Sequence, residues 1–388
     1  MINQTILINI FTIYIRISSA LNTNEDSKLN FTGLGFKYGH NVEEHNVITE
    51  DGYILKLYHI PGNDRRPVLL VHGIIDSSDT FIIRGNGSLA ITLVNRGYDI
   101  WAINTRGNRC SKLHEYLNPN DGNFWNFSFH EMGYYDLPAT IDYILERTNQ
   151  KQLTAIGHSQ GNTLFYVLGS TRPEYNEKIK VMIALAPICF LHNVKPPVST
   201  LLELLPTVGN LLQTFGMEEV FSDEAVYSGV IKSLCNQKEV GYEVCARGVF
   251  FAIGGSDSSE FEPEFLPVVV SRYPTSTSRK NGVHVAQVAL RRSFSQYDYG
   301  PMRNIAVYNT IVPPLYDLGK VKMRVVLFVG RNDGMSSIRD TELLRDRLPN
   351  VEYRLLEHKK LNHLDHVWGR NMDQYLFPHI LSVLKKYN

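Results

Sequence analysis

The chain has 388 residues, 43% hydrophobic and 20% charged, with 39 basic and 39 acidic side chains. That length suffices for a large core plus an insertion, and balanced charge gives no reason to expect nucleic acid or an anionic surface as partner. Past the N-terminus no apolar run approaches the roughly 20 residues of a spanning helix, so no integral membrane segment is expected in the mature chain.

The first element is Ile6 to Ile15, mostly apolar, followed by the small residues Ser18-Ser19-Ala20. It reads as a secretory signal peptide over 1–20. It has no Lys or Arg near Met1 and carries Arg16, and the competing reading is an ordinary buried strand or helix. Secretion would give meaning to the sequons at Asn30, Asn86 and Asn126 as glycosylation acceptors.

Residues 42–60 alternate apolar and polar around Glu50-Asp51-Gly52, which predicts a hairpin. Strand-like and helix-like runs then alternate: 67–72, 87–96, 98–104, 134–149, 152–157, 160–170 and 180–186. Such alternation predicts an α/β fold with a mostly parallel central sheet covered by helices. The pattern breaks at Pro187 and resumes near Lys322. Between them an insertion rich in Leu, Phe, Val and Pro is expected to form a cap or lid. The organisation is therefore core 21–189, cap 190–310 and core 311–388. Leu201 to Leu205 and Leu211 to Phe215 are helix candidates in the cap. With Phe250-Phe251 they could supply a lipid-facing surface, or simply pack within the cap. A final helix is expected over 372–386.

The chemistry centres on Gly157-His158-Ser159-Gln160-Gly161, which follows a strand-like run and precedes a helix-like one. A serine hydroxyl is a poor nucleophile without a base. A tight strand-to-helix turn exposes it to one and demands small flanking residues. The bland reading is a glycine-rich turn with a capping serine. In this strand–serine–helix architecture an acid and then a histidine follow in chain order. Asp333 lies in the turn after the apolar run Met323 to Val329, and His363 lies in the loop after Val351 to Leu356. Asp340 and Asp365 are the weaker acids, and His358 and His366 compete as bases. The oxyanion donors are expected at the backbone of Gln160 and of Ile74, in the loop after Pro67 to Val71. His72 is read as shaping that loop.

Four cysteines are too few for a disulfide scaffold. Cys235 and Cys245 are close enough for one local bridge, and Cys110 and Cys189 are expected free. Four unpaired thiols would instead suit a reducing compartment. No Cys or His spacing matches structural zinc, and the chemistry calls for neither metal nor organic cofactor.

From about Tyr38 onward the chain resembles acid lipases of the gastric and lysosomal type and their insect relatives. The segments that carry the resemblance include Val47 to Leu55, Asn104 to Asn108, Phe124 to Asp142, Gly157 to Gly161, Tyr297 to Gly300, Pro313 to Asp317 and Asn362 to Asp365. The resemblance implies an α/β-hydrolase fold, with Ser159 as nucleophile, Asp333 as acid and His363 as base. It also implies Ile74 and Gln160 in the oxyanion hole and a Cys235–Cys245 bridge. The substrate it implies is a lipid ester at an oil–water or membrane interface, and the location is secreted or lysosomal. Asn162, Val285, His366 and Pro274 to Ser278 depart from the family pattern; none removes a catalytic group. A short-chain carboxylesterase and a weakly catalytic lipid-binding protein are the other readings.

Overall fold

The computed structural model describes residues 25–64 and 66–387, so the expected leader lies outside the described residues. Strands β1 (Glu43–Ile48) and β2 (Tyr53–Ile60) form an antiparallel hairpin. Its turn passes through Gly52 at φ +90°, a conformation costly for any residue with a Cβ. The chain continues through β3 (Pro67–Val71), β4 (Asp99–Ile103), β5 (Leu113–His114), β6 (Leu153–His158) and β7 (Ile179–Leu185). After a long excursion containing the two-stranded ribbon β8 (Glu219–Val220) and β9 (Thr277–Ser278), it returns as β10 (Val325–Val329) and β11 (Val351–Leu355).

The main sheet has the order β1-β2-β4-β3-β6-β7-β10-β11, with β5 beside β2. Every pairing from β4 to β11 is parallel. The sequence dictates this: β3, β4, β6 and β10 are buried at every position. Continuously apolar strands must be covered on both faces, the situation of a parallel sheet between helices. In β3, Val68 and Leu70 join one core, and Leu69 and Val71 join the other. The covering helices include α1 (Leu89–Val94), α2 (Leu137–Thr148) and α3 (Gln160–Thr171).

The excursion between β7 and β10 is mostly helical. Its main helices are α4 (Val198–Thr214), α5 (Val226–Cys235) and α6 (Arg279–Arg291). The two expected segments, Leu201 to Leu205 and Leu211 to Phe215, are one helix that runs through Pro206. Val198, Leu202 and Gly209 are buried on its inner side. A Cβ at Gly209 would sit 2.4 Å from Val283 Cγ2, so α4 and α6 approach closely only because residue 209 is glycine. The outer side leaves Leu201, Leu204, Leu211 and Phe215 exposed, Phe215 by 71%. Phe251 is buried, and Phe250 lines an internal cavity, so this pair faces inward rather than onto the outer surface of the excursion. A disulfide joins Cys235 and Cys245, while Cys110 and Cys189 are free. The C-terminal helix is shorter than expected: a turn at Met372–Tyr375 precedes α7 (Phe377–Tyr387), which buries Phe377, Ile380, Val383 and Leu384.

Candidate active site

Ser159 stands between β6 and α3 with φ 53° and ψ −122°. A left-handed φ is strained for a residue with a Cβ, and such strain gathers at functional sites. The flanking glycines are demanded by space. A Cβ at Gly161 would lie 2.3 Å from the Val71 carbonyl oxygen, and one at Gly157 would lie 2.6 Å from Asn162 Oδ1. The turn therefore wedges against β3, with the hydroxyl at the C-terminal ends of the parallel strands. Ligand sites of open α/β sheets fall at those ends.

Two neighbouring strand ends deliver the partners. His363, in the loop after β11, places Nε2 2.8 Å from Ser159 Oγ. Its Nδ1 lies 3.0 Å from each oxygen of Asp333, in the turn after β10. Asp333 also accepts the Met335 and Ser336 backbone N–H groups at 2.9 and 2.6 Å. Burial pushes the Asp333 carboxyl up, but the His363 imidazole beside it and these hydrogen bonds outweigh burial and hold it below the usual carboxylate range. Ser159, Asp333 and His363 thus form one continuous hydrogen-bonded chain from three separate loops.

The competing residues sit elsewhere. Ser337 caps the helix of Asp340 by accepting its N–H, and the Asp340 carboxylate accepts the His192 and Asn193 N–H groups. His358 pairs with Asp257 at 2.9 Å. Asp365 accepts the Asn362 N–H, and burial drives its carboxyl well above the usual range. His366 is fully buried on the Asn362 carbonyl, and burial lowers it to about 4, so it is a neutral packing residue at neutral pH.

Ile74 and Gln160 line a narrow pocket with Ser159. Gln160 is the first residue of α3, where helical N–H groups have no intrahelical acceptor. His72 shapes the neighbouring loop: its Nδ1 donates to the Gly73 carbonyl at 2.8 Å and its Nε2 accepts the Thr105 N–H at 3.2 Å. Burial lowers this imidazole to about 4, which keeps it neutral for that double role.

Two further residues support the site without any sequence signal. His158 Nε2 donates to the His363 carbonyl at 3.0 Å and fixes the histidine loop against the elbow. Burial, then the nearby His363, lowers His158 well below its ordinary value. Asn281 of α6 exchanges two amide hydrogen bonds with the Gln160 side chain, at 3.1 and 3.0 Å, and accepts the Phe129 N–H. Only the fold reveals these pairs, because each joins residues more than a hundred positions apart.

Ser159 and His363 open onto a cavity of about 400 Å³. Its wall is apolar, with Phe221, Ile231, Leu234, Val249 and Phe250 from the excursion and Trp368 from the core. A second pocket of about 30 Å³ lies on the other side of Ser159, against Phe129, Val285 and Phe294. Ser159 is only 4% exposed, so the excursion covers it.

Comparison with known proteins places the fold in a family. A family profile described as alpha/beta hydrolase fold matches residues 66–369, and one for a partial alpha/beta-hydrolase lipase region matches 34–85. Lipase 1 of Drosophila melanogaster is 36% identical over 94% of this chain and 82% of its own. Gastric triacylglycerol lipase of Bos taurus is 34% identical over 93% of this chain and 92% of its own. Among solved structures, a thermophilic esterase from Thermogutta terrifontis matches with TM-score 0.54 at 13% identity, over 89% of this chain and 99% of that one. An epoxide hydrolase from Vigna radiata matches with TM-score 0.52 at 17% identity, over 89% of this chain and 98% of that one. These two structures speak to the fold alone. The chain belongs to the α/β-hydrolase family, within the branch that holds the gastric and insect lipases. It is a hydrolase of the carboxylic-ester class.

Proposed function

We propose that this enzyme is a lipase that hydrolyses esters of neutral lipids through an acyl-enzyme. The observation that carries the proposal is the Ser159–His363–Asp333 hydrogen-bonded chain opening into an apolar cavity of about 400 Å³. Ser159 Oγ attacks the ester carbonyl carbon as His363 Nε2 takes its proton. The N–H groups of Ile74 and Gln160 receive the oxyanion. His363 then returns the proton to the leaving alcohol as the carbon–oxygen bond breaks. Water attacks the acyl-enzyme by the reverse proton path and releases the fatty acid. Asp333 accepts the Nδ1–H, fixes the tautomer and stabilises the imidazolium. No step needs a metal or organic cofactor.

Residues 190–310 act as the cap, and the acyl chain lies in the cavity beneath it. A pocket with so little polar lining favours a long hydrocarbon over a small polar acyl group. The protein itself enters the secretory pathway, and the exposure of Asn30, Asn86 and Asn126 suits glycosylation. Among the described residues no helix is long and apolar enough to cross a membrane. Hydrolysis of long-chain triacylglycerol and cholesteryl ester emulsions against a soluble butyrate ester tests the substrate. A clear preference for the emulsions supports the lipase; a preference for soluble butyrate would make it a short-chain esterase.

A further inference from the structure

A second convergence of polar side chains lies on the opposite edge of the sheet from the strand ends of β10 and β11. Glu43 and His45 are two residues apart on edge strand β1, so both point to one face. His59 of β2 lies directly across the ladder from Glu43, on that same face. His59 Nδ1 is 3.0 Å from Glu43 Oε2, and His45 Nε2 is 3.3 Å from the same oxygen. The three donor atoms lie within 4.8 Å of one another.

The outer nitrogens of both rings are already engaged. His59 Nε2 lies 2.7 Å from Asp99 Oδ1, and Asp99 also accepts from the Gly62 N–H and Trp101 Nε1. A carboxylate only accepts, so in the metal-free protein His59 donates Nε2–H to Asp99 and Nδ1–H to Glu43, and a metal ion would take the place of the Nδ1 proton. The ring is clamped by stacking on Trp101, with centroids 3.8 Å apart. His45 Nδ1 lies 3.0 Å from the Tyr143 hydroxyl of α2. His45 Nε2 is buried, with Glu43 Oε2 beside it at 3.3 Å. A metal-binding histidine has this arrangement: its outer nitrogen bonds an oxygen, and that bond aims the inner lone pair.

We propose that Glu43, His45 and His59 form a binding site for one divalent zinc-class ion. Two imidazoles and one carboxylate are donors for zinc or its transition-metal neighbours, whereas calcium and magnesium prefer oxygen alone. A tetrahedral zinc with bonds of about 2.0–2.1 Å holds its donors roughly 3.3 Å apart. The separations of 3.0 and 3.3 Å to Glu43 are close to that spacing. Glu43 is half exposed, which leaves room for water in the remaining position. Four strand steps, about 19 Å, separate β1 from β6. The ion therefore plays no part at Ser159. Bound there, it ties the edge strand β1 to β2 beneath α2.

Calorimetric titration of the tag-free full chain with Zn²⁺ near pH 7.5 tests the site, alongside the Co²⁺ visible spectrum and thermal unfolding. One equivalent is expected to bind at micromolar or lower concentration and to raise Tm. Glu43→Gln and His45→Gln should each weaken that equivalent by at least tenfold and abolish the Tm rise, with butyrate-ester hydrolysis unchanged. His358→Asn alters the other His–carboxylate group, Asp257, His358 and Asp365, and should bind as wild type does. Absence of a stoichiometric site overturns the proposal. So does wild-type binding by both the Glu43 and His45 variants, or loss of the equivalent in His358→Asn.

Discussion

Ser159 holds a left-handed backbone between two glycines that admit no Cβ, which fixes its Cβ at the turn, and its hydroxyl lies 2.8 Å from His363 Nε2. Ser159→Ala removes the proposed nucleophilic oxygen from a side chain that is otherwise only packed. It should fold normally and lose hydrolysis by on the order of 10⁴–10⁶. Asp333→Asn keeps the size of the acid but presents an amide that can neither stabilise an imidazolium nor enforce the tautomer, at a cost of roughly 10⁴ in kcat. Asp365→Asn and His366→Phe touch neither Ser159 nor the inner face of His363 and should stay active. Steady-state rates of purified, folded variants decide; an active Asp333→Asn with a dead Asp365→Asn would reassign the acid. Ser159, Asp333 and His363 could be picked from the sequence because each ends or follows an apolar strand-like run. His158 and Asn281 could not. Their partners, the His363 carbonyl and the Gln160 amide, lie 205 and 121 positions away, and side-chain type alone says nothing of such pairings.

At the scale of elements, the sheet was legible and the excursion only partly so. Buried parallel strands announce themselves as short apolar runs, whereas cap helices carry apolar residues on two sides for two different reasons. In α4 the inner residues pack on α6 and the outer ones stay exposed, so the two apolar clusters read as separate helices around Pro206. The Glu43–His59 pairing was illegible because it depends on hairpin register, which a one-residue slip would destroy. The tether between core and excursion has a pH signature. Glu131 caps the helical turn at Ser128 and lies 3.3 Å from Lys280 Nζ of α6, itself only 7% exposed. Burial raises the Glu131 carboxyl, but Lys280 and the other partners outweigh it and lower it to about 2. A depressed carboxyl contributes stability that is fully present above its ordinary value of 4.5 and is lost as pH falls through about 2. Glu131→Gln should therefore destabilise the protein at pH 6 by roughly 2–3 kcal/mol, below the cost of breaking a fully buried pair. The gap between variant and wild type should narrow as pH falls from 4.5 toward 2. Denaturant unfolding across that range checks it, and a gap independent of pH would mean that Lys280 is not the partner that matters.

For the whole molecule the central tension is access. Ser159 and His363 are 4% and 3% exposed, yet the proposed substrate is insoluble and cannot thread in from dilute solution. The cap already displays apolar side chains outward: Leu201, Leu204, Leu211 and Phe215 recur at helical spacing along α4. An apolar face of this kind on a soluble protein marks a contact surface. The same helix is anchored inward at Gly209 on α6, and α6 is tied to Gln160 through Asn281. A lipid surface that captures the outer face of α4 would thus pull on the element that holds Gln160, the proposed oxyanion donor. The expected outcome is that α4 and α5 gain or lose amide protection when detergent micelles are added, while β3, β6 and β10 do not. Leu204→Asp combined with Leu211→Asp should lower the rate on triacylglycerol emulsion by about tenfold or more and leave soluble butyrate hydrolysis within twofold, because neither residue lines the cavity at Ser159. Hydrogen exchange and the paired assays separate the alternatives. Unchanged protection throughout the cap, with equal losses on both substrates, would leave a fixed cap and place substrate entry elsewhere.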